Sequence, residues 1–409
     1  LKTVDVDGVV MGRIGGIAAM SVIVITLCSP LLGWLIYRKG LPTLPAYLLA
    51  SAICVGSVLL GIVFPVTLAP GLWMILIAIY VLFASGTPVW LILQPRDFIN
   101  VQILYGGIVL MVVSILSVGL KGLPISAPSF NLGEGVNQLG LIWPMMFITI
   151  ACGAISGFHS LVAGGTTGKQ LAKETDARKV GFNAMLLESA LSVCVLIALG
   201  VGLSFVDYKS IVWPAVEGAK SNPILGFSLA AGQLFHLGLG IPTALGTVFG
   251  ILLVEGFVVT TLDAAVRLNR YLFEELWTIL FQKPPALLRH YWFNSGLSVV
   301  LMLLLAWTNA FNALWPIFGT ANQLLAALGL LAVSGWLLLR GRRYSFALVP
   351  AVFMIVTTLG SLVILLRNYV RAGNWILVAT DVLMMVLALG VVALAAKKFL
   401  RPAPSPAAE

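Results

Sequence analysis

The sequence predicts an all-α integral membrane protein, and three observations carry that expectation. Of 409 residues, 60% are hydrophobic and 10% charged, against roughly 45–50% and about 25% in ordinary soluble domains. The apolar residues come in long blocks with neither strand alternation nor a single helical stripe, the pattern of helices that are apolar all round. The lysines and arginines fall mainly in the short stretches between those blocks. A β-barrel is excluded by the missing alternation. A soluble core of this size could not hide so much apolar surface, and the net charge of +9 is read as loop charge beside a bilayer, not as a nucleic-acid surface.

A spanning helix needs about 20 apolar residues to cross roughly 30 Å of hydrocarbon. On that criterion about eleven spans are expected, near 17–37, 44–66, 72–92, 100–120, 142–164, 182–206, 241–264, 289–308, 318–339, 346–366 and 376–397. The organisation is then a lead-in over 1–16, a transmembrane bundle over 17–397 and a tail over 398–409. The tail's RPAPSPAAE ending is too polar and proline-rich to bury a core. Leu1 is not a start methionine and no short signal-type segment follows it, so the chain reads as a fragment or a processed product.

Assigning lysines and arginines to alternate sides tests the parse. One side collects seventeen, including Arg38, Arg96, Lys169, Arg267, Arg270, Lys283 and Arg342, and the other seven, including Arg13, Lys121 and Arg367. The richer side is expected to be cytoplasmic, with Leu1 extracytoplasmic and Glu409 inside. Two connections, Lys121 to Leu141 and Asp207 to Gly240, are long and lie outside; the second contains Pro223 to Leu237, too short to cross and read as a re-entrant or surface helix.

The stretch ITIACGAISGFHSLVAGGTTGKQ, Ile148 to Gln170, carries the strongest chemical signal. Gly153, Ser156, Gly157, His159 and Ser160 interrupt the middle of an apolar span, and unwound backbone is tolerated at membrane depth only where it lines a cavity or a ligand. The alternative is close helix packing, since Gly153 and Gly157 have GxxxG spacing. Two enzyme motifs fail here. GGTTGKQ lacks the first glycine of a phosphate loop and has Gln170 where magnesium needs a hydroxyl, while GAISG places Ser156 one position away from a nucleophile elbow. An intramembrane hydrolase using Ser156 and a histidine, or a channel or structural subunit, remains the alternative function.

Ionisable residues inside spans are functional candidates by default because they are costly there. Glu188 and Glu255 lie within apolar runs, Asp263 has Arg267 four residues on as a local partner, and Asp381 sits near a span end where it would cap or snorkel. LWPIFGTANQLLA, Leu314 to Ala326, places Thr320, Asn322 and Gln323 in another span. Cys28, Cys54, Cys152 and Cys194 have no metal-site or disulfide spacing and read as small core residues. No metal or cofactor motif is found.

Five segments together resemble the carbon starvation (CstA) family of bacterial inner-membrane transporters. They are PVWLILQPRDFIN (Pro88 to Asn100), the Ile148 to Gln170 stretch, GFNAMLLES (Gly181 to Ser189), TTLDAAVRLNRYLFEELW (Thr260 to Trp277) and LWPIFGTANQLLA. The resemblance implies proton-coupled uptake of peptides or pyruvate, and an inverted-repeat (LeuT-like) architecture with at least one broken helix. It makes Gly153, Ser156, Gly157, His159, Ser160, Thr320, Asn322 and Gln323 candidates for substrate binding, and Glu188, Glu255 and Asp263 candidates for proton coupling. The expected partners are the lipid bilayer, a small carboxylate or peptide substrate and the proton. The family has a further N-terminal portion with a glycine-rich broken helix that does not precede Leu1, so the chain is expected to be either truncated or one of two polypeptides that assemble, a second polypeptide then supplying those helices.

The charge asymmetry generates a test. Single cysteines in the connections carrying Arg38, Lys169, Arg267 and Arg342, in a background without the four native cysteines, should resist an impermeant thiol reagent applied to whole cells. Labelling at two or more of these sites would invert the orientation.

Overall fold

In the computed structural model, residues 5–6, 9–214, 221–308 and 311–399 are described. Among the described residues the regular structure is helical apart from a two-residue pairing of Asp5–Val6 with Val9–Val10. The helices run in order as α1 (Met11–Tyr37), α2 (Thr43–Val63), α3 (Pro70–Ala84), α4 (Leu93–Leu120), α5 (Leu132–Leu139), α6 (Phe147–Ala154), α7 (Gly157–Val162) and α8 (Asp176–Gly202). They continue as α9 (Phe205–Val212), α10 (Pro223–Leu239), α11 (Thr243–Leu280), α12 (Ala286–Arg289), α13 (Tyr291–Trp307), α14 (Phe311–Leu339), α15 (Ser345–Arg371) and α16 (Trp375–Phe399). Among the described residues nine helical stretches are long and apolar enough to cross a membrane, so the chain is a multi-pass membrane protein. The expected tail from 401 onwards lies outside the described residues.

The chain divides into two compact units. The first comprises residues up to Ser129 together with Ala172–Leu303. Its largest apolar cluster is built from α1, α2, α4, α8, α10 and α11. Along α1 the fully buried positions Ile14, Ala18, Ser21, Ser29 and Leu32 fall on one helical stripe. The serines in it stay satisfied without water: Ser21 Oγ donates to Ile17 O and Ser29 Oγ to Ile25 O, one turn back on their own helix.

Two expectations are corrected here and one is refined. Pro223 to Leu237, read as a re-entrant or surface helix, does not lie on the surface: α10 lies within the core of the first unit, with Ala230, Ala231, Leu234 and Phe235 fully buried. Its small residues explain why. A Cβ at Gly202 would strike Ala230 O, and one at Gly250 would lie 2.9 Å from Ser228 Cα, so α8 and α11 meet α10 nearly backbone to backbone. The expected spans at 72–92 and 289–308 fall on apolar helices of 15 and 17 residues, shorter than the expected lengths. The first stops at Ala84 because Gly86 and Pro88 follow and Arg267 Nη2 donates to Ala84 O and Thr87 O, taking carbonyls that a continuing helix would use. Finally, α11 runs for 38 residues, about 57 Å at 1.5 Å per residue, so Arg267 and Arg270 lie within a helix and not in a connection. Both are buried, and so is Arg96 in the first turn of α4.

The second unit comprises Phe130–Leu171 and the chain from Leu304 on. Here α14 packs on α15, and Ala327, Leu331, Ala351, Met354 and Ile355 form its core. Helices α6 and α7 lie against α14. Trp143, extended (φ −119°, ψ 134°) at the kink preceding α6, donates to Thr357 Oγ1 at 3.2 Å, and Phe147 meets the Phe353 ring edge-on.

Candidate functional site

The second unit holds the interrupted helix. Its axis breaks at Ile155 and Ser156, which are extended (φ −149°, ψ 113° and φ −127°, ψ 129°) between α6 and α7. A break in a span frees amide hydrogens that must find acceptors in low dielectric. Here they find them inside the protein. Asn322 Oδ1 on α14 accepts Phe158 N–H at 2.7 Å, and Ser156 Oγ accepts from His159 N at 3.4 Å. The Asn322 amide in turn donates to Ser156 Oγ at 3.1 Å and to Cys152 Sγ at 3.2 Å. One asparagine therefore bridges both half-helices.

Gly157 serves packing. A Cβ there would strike Asn322 O and Leu325 Cβ and lie 2.7 Å from Ala326 N, so only glycine lets α7 press on the α14 backbone. Gly153, His159 and Ser160 are on the exposed side, and Ser160 Oγ donates back to Gly157 O at 2.8 Å. Ser156 Oγ is engaged by Asn322, and among the described residues no histidine ring is bonded to it.

Close by in sequence, Thr320 and Gln323 are fully buried. Thr320 Oγ1 bonds Pro316 O and lies 3.1 Å from Ser361 Oγ. Gln323 is different: neither its amide oxygen nor its amide nitrogen has a partner among the described residues, and the same holds for Thr358 Oγ1, Tyr369 Oη and both oxygens of Asp381. Asp381 is fully buried on α16. It neither snorkels nor caps, which corrects the reading drawn from its place near a span end.

The first unit holds a buried charge cluster. Arg96 Nη2 meets Asp263 Oδ2 at 2.8 Å, with both side chains at most 2% exposed. The ion-pair partner of Asp263 is thus Arg96 on α4, not Arg267 one turn along its own helix. Tyr80 of α3 donates to the same Asp263 oxygen at 3.0 Å and receives Arg96 Nη1. Thr260 Oγ1 lies 2.8 Å from Asp97 Oδ1 and 3.2 Å from Arg96 Nη2, and Asn100 Nδ2 donates to Gly256 O at 3.2 Å. Three helices are therefore tied by one polar cluster. Glu255, two turns before Asp263 on α11, is partly buried, and Glu188 on α8 is exposed; neither carboxylate has a hydrogen-bond or ion-pair partner among the described residues.

Sequence reading thus places the substrate candidates together in the second unit and the proton-coupling candidates in the first. It misses Tyr80, Arg96, Asp97 and Thr260. The signal was present as the adjacent Arg96–Asp97 at the start of a span, but in a count of loop charges Arg96 looks like one more cytoplasmic cation.

The family model described as carbon starvation protein CstA matches residues 6–217 and 204–361. Among individual proteins, the chain is 32% identical to the peptide transporter CstA of Campylobacter jejuni, covering 71% of this chain and 48% of that protein. It is 31% identical to the peptide transporter CstA of Bacillus subtilis (74% and 53%) and 28% identical to the pyruvate/proton symporter BtsT of Escherichia coli (68% and 48%). The chain spans about half the length of the curated relatives it matches. No solved structure matches it.

The packing at the break predicts opposite behaviour for two nearby glycines. Gly157→Ala should destabilise the protein by about 1–3 kcal/mol through overpacking. Gly153→Ala, whose Cβ would have nothing within 4 Å, should be neutral or stabilising by about 0.5–1 kcal/mol. Thermal unfolding in detergent compares them, and a Gly157→Ala protein as stable as the wild type would contradict the contact with α14.

Proposed function

From the premise that the chain belongs to the carbon starvation protein CstA family, we propose that it works as a secondary transporter in the bacterial inner membrane, taking up peptides or pyruvate with protons. The observation that carries this reading is the helix interrupted at Ile155–Ser156, latched by Asn322, on the same helix as Gln323 with its unpartnered buried amide. A latch made of hydrogen bonds can be exchanged for bonds to a ligand at little net cost, because such bonds are worth only about 0.5–1.5 kcal/mol net each. A substrate carboxylate or peptide group offers the acceptors that Phe158 N–H, His159 N–H and the Gln323 amide would use, and His159 and Ser160 add donors on the open side. A discontinuous helix presenting backbone groups to substrate is the arrangement that secondary transporters use.

The finer architecture belongs to the same reading. Counting α3 and α13 as spanning gives eleven spans, and the α6–α7 interruption supports an inverted-repeat (LeuT-like) arrangement. Further membrane segments, in the same or a second polypeptide, complete the substrate path. The relatives' names, peptide transporter and pyruvate/proton symporter, support transport over catalysis. Of the coupling candidates, Asp263 has the strongest support because it alone sits in a polar cluster; Glu188 and Glu255 stand on their cost in a membrane.

Reconstituted intact protein should accumulate labelled pyruvate or dipeptide when an inward proton gradient is imposed. Asn322→Leu and Gln323→Leu should each reduce uptake roughly tenfold or more, about 1.4 kcal/mol. Uptake that ignores the gradient, or variants that fold normally and transport normally, would contradict the reading.

A further inference from the structure

We propose that the first turns of α8 are the docking face for a further transmembrane helix, one that presents a basic or amide side chain to Glu188. Helix α8 is packed along its later turns. There Cys194 and Ala198 are buried, and a Cβ at Gly200 would lie 2.8 Å from Ile125 Cγ2. Its earlier turns are bare: from Ala177 to Ala190 every residue except Leu187 is exposed. Lipid can cover the apolar side chains of that surface. It does not cover Glu188 on the same terms, because a carboxyl group within a span faces the bundle interior or pairs with another polar group.

Neither local escape is open to Glu188. Lys179, the nearest charged residue toward one end of the helix, is nine residues away, about 13 Å at 1.5 Å per residue, and no charged residue follows Glu188 before Gly202 at the other end. A stem of two methylenes does not reach a headgroup from there. Nor do its neighbours on α8 answer it. Ser192 Oγ donates to the Glu188 backbone carbonyl and Ser189 Oγ to Met185 O, and the carboxyl group has no hydrogen-bond or ion-pair partner among the described residues. A proton would not remove the need, since a neutral carboxyl still has a donor and an acceptor to satisfy.

The residues flanking Glu188 suit a helix as the occupant. Gly181, Ala184, Glu188 and Ser192 recur at helical spacing along one stripe, and nothing lies within 4 Å of a Cβ built on Gly181. Small side chains on either side of the carboxyl group therefore let another backbone come close. A second copy of this chain does not fit. Two-fold pairing through this face would set one Glu188 against the other, and neither would gain a cation. A helix bearing lysine, arginine, asparagine or glutamine at the depth of Glu188 supplies the donor that the carboxyl group lacks. The relatives have the length to contribute one, because this chain covers about half of each. The proposal does not depend on the transport reading.

Energy transfer in phosphatidylcholine vesicles tests it. The chain, with its four native cysteines replaced, carries a donor dye on Thr175→Cys beside α8. The probes are acceptor-labelled leucine–alanine peptides of about 20 residues, with either glutamine or leucine at mid-length. The glutamine peptide should associate about tenfold more tightly than the leucine peptide; Glu188→Leu should remove that difference, and Glu188→Gln should keep it. Because the carboxyl group holds nothing within the chain, Glu188→Leu should melt no lower than the wild type in the same vesicles. Equal binding of the two peptides, a glutamine preference that survives Glu188→Leu, a Glu188→Leu protein that unfolds more readily, or Ser192→Cys cross-linking one copy to another would each overturn the proposal.

Discussion

An arginine sealed among helices persists only with a carboxylate beside it, and the contact of Arg96 with Asp263 is the constraint on which the first unit depends. Both side chains are almost fully withdrawn from solvent. Removing either leaves a charge that neither lipid nor apolar side chains can accommodate. The consequences run outward along three helices. Tyr80 can reach the pair only if α3 ends where it does, and Arg267, one turn beyond Asp263, holds that end through Ala84 O and Thr87 O. Asn100, one turn beyond Arg96, donates to Gly256 O and keeps α4 close to α11 where glycine allows it. Ion pair, helix end and helix contact therefore form one set of dependencies.

The second unit meets the same low-dielectric constraint with amides and hydroxyls in place of charges. Asn322 answers the groups freed by the interruption, which is why a broken span can be stable with no ligand bound. Gln323, Thr358, Tyr369 and Asp381 of the same unit have no such partner among the described residues. Buried polar groups without partners carry a penalty of about 1–3 kcal/mol each.

What the sequence discloses follows from what hydropathy measures. It measures transfer into hydrocarbon, so the membrane class, most of the spans and the weak point near Gly157 were all legible. It does not measure what a helix packs against. Pro223 to Leu237 falls short of a span and so reads as a re-entrant or surface piece, whereas its glycines and alanines admit it to the core. Gly157 shows the same ambiguity at one residue, since a glycine that permits unwinding and one that permits packing look alike until Asn322 O and Leu325 are seen beside it. Arg96 and Asp263 lie far apart in the chain, and nothing in one sequence pairs them. The local alternative, Arg267, satisfies helical spacing and is not the partner. Asp381 was misplaced because distance from a span end says nothing about which way a side chain faces.

The account is tested most directly by a double-mutant cycle on Arg96 and Asp263, read as unfolding free energy of the protein in nanodiscs. Arg96→Met alone should cost about 3–5 kcal/mol, the cost of breaking a buried pair, while Arg96→Met with Asp263→Leu should recover most of that loss. Two costs that simply add, with no interaction energy between the sites, would mean that the pair does not hold α4 to α11, and the dependence of the first unit on it would be contradicted.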